Sequence, residues 1–382
     1  MKAPFIKGTI IAVLLLLLMC LSSASAQQKL HVHGYFSQAY AISDGNSIYG
    51  ISSNGTVDYR NAALQFSFQP SQANRVVIQV NHQRIGQSPI MPLKEDVELD
   101  WGILEQRLND TFTLRAGRIL LPLGMYNQMR DVGILLPFYS VPFSPYGEGI
   151  YTSETVDGFS VSVYKDVGES SSIEAEVYFG QWKWAEWYIL DNIFGGPQIA
   201  VADEATIRAA LGAWLWFNTP VEGLRLGSGG FSGNVEDGIQ FQPDELLGPQ
   251  RMGLIAGAVD FTRSRFYLRS EVNAYQLFKS SLTAVGGYIQ FGIHITDRLE
   301  INSQNETTHV KNLIAIPNTP AKDVEYNRDF ALGIKFSPTH FLALKIEGHL
   351  NRGYLAEQPL SEILYNRPYK TRYAILSLSV GF

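Results

Sequence analysis

The sequence predicts an all-β fold, a transmembrane antiparallel β-barrel of about sixteen strands, and three observations carry that expectation. Apolar and polar side chains alternate along most of the chain, the connections between alternating segments switch between short and long, and the amino terminus has the layout of a secretory leader. Of 382 residues, 46% are hydrophobic and 12% aromatic, whereas only 17% are charged, against roughly 25% in soluble domains. Low charge with 19 Tyr and 21 Phe excludes an intrinsically disordered chain, which would lack the apolar surface to fold. The formal net charge is −6; with no basic block, no nucleic-acid partner is expected. Past residue 26 no apolar run approaches the ~20 residues a membrane helix needs, so any crossing of a bilayer falls to strands.

In the leader, Lys2 and Lys7 precede the apolar stretch Ile10–Leu21, and Ser-Ser-Ala-Ser-Ala follows, ending at Ala26. A basic start, a short apolar core and an Ala-x-Ala end make residues 1–26 a predicted signal peptide, with 27–382 as the barrel. The single cysteine, Cys20, falls inside the leader. Leu-Met-Cys-Leu lacks the small residues expected before a lipidated cysteine. The exported part therefore has no disulfide and no thiolate metal site.

The period-two rule then assigns the elements, because successive strand side chains point to opposite faces. Strands are expected at 30–42, 57–69, 74–85, 95–107, 111–119, 153–164, 171–184 and 204–217. The second half supplies 223–230, 251–261, 265–277, 281–293, 298–308, 326–336, 341–352 and 368–382. Ala62, Leu64, Phe66 and Phe68 share one face against Asn61, Gln65 and Ser67. Phe159, Val161 and Val163 alternate with Ser160 and Ser162, and Ile173, Ala175, Val177 and Phe179 with Glu174 and Glu176. Phe330, Leu332, Ile334 and Phe336 alternate with Asp329 and Lys335; Leu342, Leu344, Ile346 and Leu350 do so with Lys345, Glu347 and His349. Polar faces this charged do not suit the core of a sandwich, but they suit a water-filled lumen. Tyr40, Tyr59, Trp101, Trp187, Tyr326 and Tyr369 fall near strand ends, where aromatic girdles sit; ordinary core packing is the competing explanation for each.

The connections sort by parity. Short ones carry turn residues, as in Pro70–Ala73, Leu108–Asp110 and Ser337–His340, while 43–56, 120–152, 185–203, 231–250, 309–325 and 353–367 are longer. Short turns at one end and long loops at the other are the plan of a bacterial outer-membrane barrel. The segments 165–170 and 278–280 fit the rule less well.

At the carboxyl end Ala374, Leu376, Leu378, Val380 and Phe382 share one face. A last strand ending in Phe resembles the signal that the barrel assembly machinery reads, which implies that machinery as a partner through Phe382. With leader and alternation, the chain resembles the sixteen-stranded porins. Leu114-Arg-Ala-Gly-Arg118, Pro122-Leu-Gly124 and Arg130 resemble, over about twenty residues, a strand-to-loop segment of the phosphate-selective porin group, although no Lys/Arg cluster suited to phosphate is evident. The resemblance implies a homotrimer in outer-membrane lipid, passing small hydrophilic solutes or ions, with no cofactor and no enzymatic activity.

The longest connection, 120–152, is where porins of this kind narrow their channel. It carries Ile134, Leu135, Leu136, Phe138, Tyr139 and Phe143, too apolar for a solvated loop, so it needs a surface to pack on. It is expected against the inner wall, with Arg130, Asp131 and Glu148 at the eyelet; a cap over the mouth or a contact between subunits are the alternatives. Arg115, Arg118, Arg208, Arg269, Glu271, Lys335, Lys345 and Glu347 complete the expected pore-lining set. Their mixed signs argue against strong selectivity, and Asp96, Glu98, Asp100, Glu174 and Glu176 tilt the balance toward cations. His31 and His33 share a face without a third ligand nearby, so no metal site is expected. No Gly-x-Ser-x-Gly elbow occurs, and Gly227–Gly230 lies in a strand-and-loop context unsuited to a phosphate cradle. A barrel enzyme, or a structural or adhesive surface protein without an open pore, is the remaining alternative.

Overall fold

Sixteen strands close on themselves, each hydrogen-bonded antiparallel to its sequence neighbours and the last to the first. The computed structural model describes residues 29–147, 153–190, 199–236, 249–315, 319–359 and 361–382; the expected signal peptide and Glu148 lie outside them. The first eight strands are β1 (Lys29–Ser43), β2 (Thr56–Gln69), β3 (Asn74–Ile85), β4 (Glu98–Arg107), β5 (Phe112–Leu120), β6 (Thr155–Asp166), β7 (Ser172–Leu190) and β8 (Ile199–Asn218). The rest are β9 (Leu224–Glu236), β10 (Gln250–Arg263), β11 (Phe266–Leu277), β12 (Thr283–Thr296), β13 (Leu299–Leu313), β14 (Lys322–Thr339), β15 (Leu342–Gly353) and β16 (Tyr369–Gly381). Closure is needed because an unpaired backbone group in hydrocarbon costs several kcal/mol. At the seam Gly34 and Phe382 exchange backbone hydrogen bonds of 3.1 and 3.0 Å, and the Phe382 ring stays exposed.

Loop parity holds at every connection but one, 278–282, which is as short as the longest turns. Seven turns of two to five residues lie at one end, and the longer connections lie at the other. Of the two doubtful segments, 167–171 is at the turn end and obeys it, whereas 278–282 lies at the loop end with only five residues. β7 and β8 run 19 and 20 residues, well beyond the ~9–11 that cross a bilayer, so their hairpin extends past the apolar girdle.

The faces follow the predicted alternation. Leu64, Phe66, Phe159, Val177, Leu332 and Ile346 are exposed on the outside, where lipid suits them. Asp329, Lys345, Glu347, His349 and Asn351 are buried on the inside. Among several register shifts, two bulges re-aim residues of the expected set. On β4 the pairing steps from Gln79↔Trp101 to Val80↔Leu99, leaving Asp100 as the extra residue. On β8 it steps from Arg208↔Asn234 to Leu211↔Ser232, with Ala209 at φ 49°. Such bulges re-aim side chains because one inserted residue shifts the period.

Candidate functional site

The long loop enters the barrel, and the inner wall supplies the partners that its backbone and side chains need. Leu121, Leu123, Met125, Tyr126, Leu136, Phe138 and Tyr146 are all buried, and burying each such side chain gains about 1.5–3 kcal/mol. After β5 the chain turns inward, with Asn127 Nδ2 donating to the Leu121 carbonyl (2.9 Å) and the Glu154 carbonyl (3.2 Å), which ties the two ends of the loop together. Gly124 has φ +65°, and a Cβ there would lie 2.0 Å from Tyr146 Oη and 2.3 Å from Glu271 Oε1. Only glycine permits that close crossing.

Tracing the loop shows where each anchor lies. Asp131 Oδ1 accepts from Asn61 Nδ2 of β2 at 2.7 Å. Lys345 Nζ donates to the carbonyls of Gly133 (3.0 Å) and Phe138 (2.6 Å), and Lys335 Nζ to that of Ile134 (2.7 Å). The Tyr139 N–H donates to Glu347 Oε2 at 2.7 Å. A one-turn helix, Phe143–Tyr146, presents the Ser144 N–H to Glu306 Oε2 at 3.2 Å. Tyr146 Oη donates to Glu271, which also accepts from Tyr288 Oη (2.7 Å) and from the Met125 N–H (2.8 Å). Arg269 Nη1 donates to Tyr126 Oη at 2.9 Å. Burial pushes the Tyr126 phenol up to about 12 although Arg269 opposes the shift, and burial beside Glu271 holds the Tyr146 phenol well above its usual value.

Thus the wall from β11 through β15, with Asn61 of β2, turns Arg269, Glu271, Glu306, Lys335, Lys345 and Glu347 on the loop, while Asp329, His349 and Asn351 bond to one another. The wall from β3 to β8 does not. There Arg75, Glu105, Arg115 and Glu176 form one ion-paired ladder across four strands, with contacts of 3.1, 2.8 and 2.9 Å. This ladder faces a cavity of about 450 Å³ between loop residues Leu120–Gly124 and the wall. A second cavity, of about 250 Å³, lies on the loop-end side and is lined by Tyr49, Tyr59, Phe138, Phe143, Tyr326 and Tyr373, with Arg130 at its edge. Loop contacts roof that side: Ile48 bridges Ala356, Glu357 N–H donates to the Ser47 carbonyl (2.8 Å), and Gly50 N–H donates to Glu357 Oε1 (2.6 Å).

Of the expected residues, Arg115, Arg130, Asp131, Arg269, Glu271, Lys335, Lys345 and Glu347 face the lumen or lie in the loop inside it. Two do not. Arg118 sits three residues from Arg115 on unbroken alternation, so it projects outward and pairs with Asp157 at 2.9 Å. Arg208 shares parity with inward Ala210 and Trp214 in sequence, but the bulge at Ala209 turns it outward, where it meets Glu236 at 3.0 Å. Both are therefore corrected from pore lining to the outer face near the loop end. His31 and His33 stack with ring centroids 6.3 Å apart.

The sequence reading missed a cluster. Asp100, Asp131 and Glu154 each place a carboxylate oxygen within 4.8 Å of the others. Burial first, then the charges of Asp131 and Asp100, hold the Glu154 carboxyl well above the usual range. Asp131 was expected at the eyelet and Asp100 among the acidic residues that tilt the lumen, but their meeting with Glu154 was not, since strict alternation sets Asp100 with Leu104 and only the bulge brings it inward.

No protein-family model matches the sequence, and no curated protein does. Solved structures match in three dimensions. OmpF of Salmonella typhi superposes with a TM-score of 0.63 at 10% identity, over 93% of this chain and 98% of that one. The outer membrane channel DcaP of Acinetobacter baumannii gives 0.57 at 10%, over 94% and 99%. An anion-selective porin from Comamonas acidovorans gives 0.57 at 9%, over 93% and 100%. At these identities the likeness establishes architecture, and the architecture is the sixteen-stranded porin barrel.

Proposed function

We propose that the protein is an outer-membrane porin whose lumen passes small hydrophilic solutes or ions by passive diffusion, with residues 120–152 setting the constriction. The observation that carries this reading is the loop held across a polar lumen while a charged ladder stays open beside it. A sixteen-stranded barrel is too wide for wall side chains alone to fill, and rings of charge at a narrowing select ions by sign. Arg75, Glu105, Arg115 and Glu176 cancel in charge, and Glu174, which also lines the larger cavity, tilts the passage mildly toward cations. Assembly as a homotrimer fits the same reading, since the trimer form of OmpT from Vibrio cholerae, an outer membrane protein, shares the fold with a TM-score of 0.56 at 10% identity. Exposed Phe382 at the seam suits recognition by the barrel assembly machinery. Purified protein in a planar bilayer tests the proposal. Stepwise conductance, with a reversal potential of cation sign in a salt gradient, is expected; a silent membrane at full insertion would overturn it.

A further inference from the structure

We propose that the loop-end cavity is a binding site for a neutral planar aromatic solute that carries a carboxamide-like edge. The inference takes the channel reading above as its premise and names a class of solute that this mouth would capture. A mouth for hydrated ions has no need of an apolar wall. Yet this cavity of about 250 Å³ is walled by Tyr49, Tyr59, Phe143, Tyr326, Tyr354 and Tyr373, together with Ile51, Leu355 and Ile363. An apolar cavity of about 150 Å³ already admits a benzene-sized guest, so the volume suits one substituted ring. The lining rings stand at varied angles. Tyr49 meets Phe143 at 40° with centroids 5.5 Å apart and Tyr373 at 74° with 6.0 Å, while Tyr373 stacks on His349 at 4.2 Å. Ring faces and ring edges are both on offer, which a flat aromatic guest matches better than a saturated one of equal size.

The polar groups of the lining say what the guest carries. Its charged side chains are already engaged: Arg130 with the Tyr146 carbonyl at 2.9 Å, Glu306 with the Ser144 N–H at 3.2 Å, and Asp329 with His349 at 2.8 Å. Two neutral side chains are not. Tyr49 Oη and both amide atoms of Gln358, a residue only 5% exposed, have no partner among the described residues. Leaving buried polar atoms unmatched is costly, and an amide with donor and acceptor both idle is the complement of a second amide. Tyr49 and Gln358 stand on the two roof segments that the Ile48–Ala356 bridge joins, which brings the idle groups to one side of the cavity. The backbone at Tyr49 is unusual too. It takes φ 53° ahead of Gly50 at φ 78°, in a turn closed by the Ile48 N–H on the Ile51 carbonyl (3.1 Å) and the reverse bond (2.8 Å). Asn or Gly is the ordinary occupant of such a position, so the ring of Tyr49, and not its backbone preference, is what the site uses.

Benzamide is the probe, with cyclohexanecarboxamide as its saturated counterpart, on the full chain folded in detergent. Saturation-transfer NMR should show benzamide binding saturably at one site and cyclohexanecarboxamide about tenfold more weakly. Gln358→Leu should lower benzamide affinity about tenfold. Ser140→Trp, which sets a bulky side chain in the cavity from the loop side, should abolish binding. Strand content in circular dichroism verifies an intact barrel for each variant. Signal that does not saturate, equal binding of the two amides, or binding that persists unchanged in both folded variants would overturn the proposal. Binding is read in detergent and conduction in a planar bilayer, so the two readings fail separately. A conducting barrel that ignores benzamide removes the site and keeps the channel, whereas a silent barrel that binds it keeps the site and loses the channel.

Discussion

The two halves of the inner wall use the same kinds of residue for opposite ends. Along β11–β16 the inward charges meet a loop: Lys345 holds two carbonyls, Glu347 an N–H, and Glu271 two phenols and an N–H. Along β3–β8 they meet each other, and the pairs face open space. A charge bound to backbone under a packed loop no longer acts on a passing ion, because its field is compensated locally and water is excluded. A charge in the open ladder still does. On the proposed reading as a channel, selectivity would rest with the uncovered half rather than with the count of inward charges over the whole barrel.

Removing the covering gives the largest expected effect. Deletion of residues 121–148 should raise single-channel conductance several-fold, since a sixteen-stranded lumen is wide without its inner loop; an unchanged conductance would deny the loop its constricting role. Loosening it is the next step down. Lys345→Met leaves the Phe138 carbonyl without its donor, at about 1–3 kcal/mol, and the Gly133 carbonyl with only the Leu136 N–H at 3.3 Å. Faster proteolytic cleavage within the loop and noisier open-channel current should follow, with the strand content intact.

Selectivity separates the halves directly. Arg115→Gln leaves Glu176 uncompensated and Glu105 with Arg75 alone, and the reversal potential in a salt gradient should move measurably toward cations. Lys335→Gln, made under the loop at a carbonyl contact, should move it much less. Equal shifts would contradict the division of the wall into covered and open halves.

The smallest effect concerns the roof over the loop end. Burial raises the Glu357 carboxyl to about 7, only partly offset by the Gly50 N–H. A carboxyl whose folded value exceeds its unfolded one, near 4.5, is held best when protonated. Its contribution is complete below about 4.5 and is lost as pH rises through about 7. Amide exchange at Gly50 and Glu357 should accordingly quicken from pH 5 to pH 8 beyond the intrinsic base-catalysed rate, and Glu357→Gln should flatten the excess.

Much of the fold was legible. Each expected strand overlaps an observed one, because period-two alternation is a local property that lipid outside and water inside both enforce. Strand lengths were less so: β7, β8, β13 and β14 continue well past their predicted ends, since beyond the girdle pairing persists without an apolar requirement. The apolar loop residues announced a packing partner correctly. The aim of single side chains was a different matter. Arg118 was separable from Arg115 by their spacing of three, whereas Arg208 and Asp100 were not assignable, because each depends on a bulge.

By itself the sequence determined that the chain closes as a barrel, which face of each strand meets lipid, and which end carries the loops. These follow from the repeat of side-chain polarity and from loop length, both written along the chain. Only the tertiary structure decided where alternation slips and which charges the loop covers. A bulge is a mismatch between two strands, and the contacts of Lys345 with Gly133 or of Asp100 with Asp131 join residues far apart in sequence, so no local pattern encodes them.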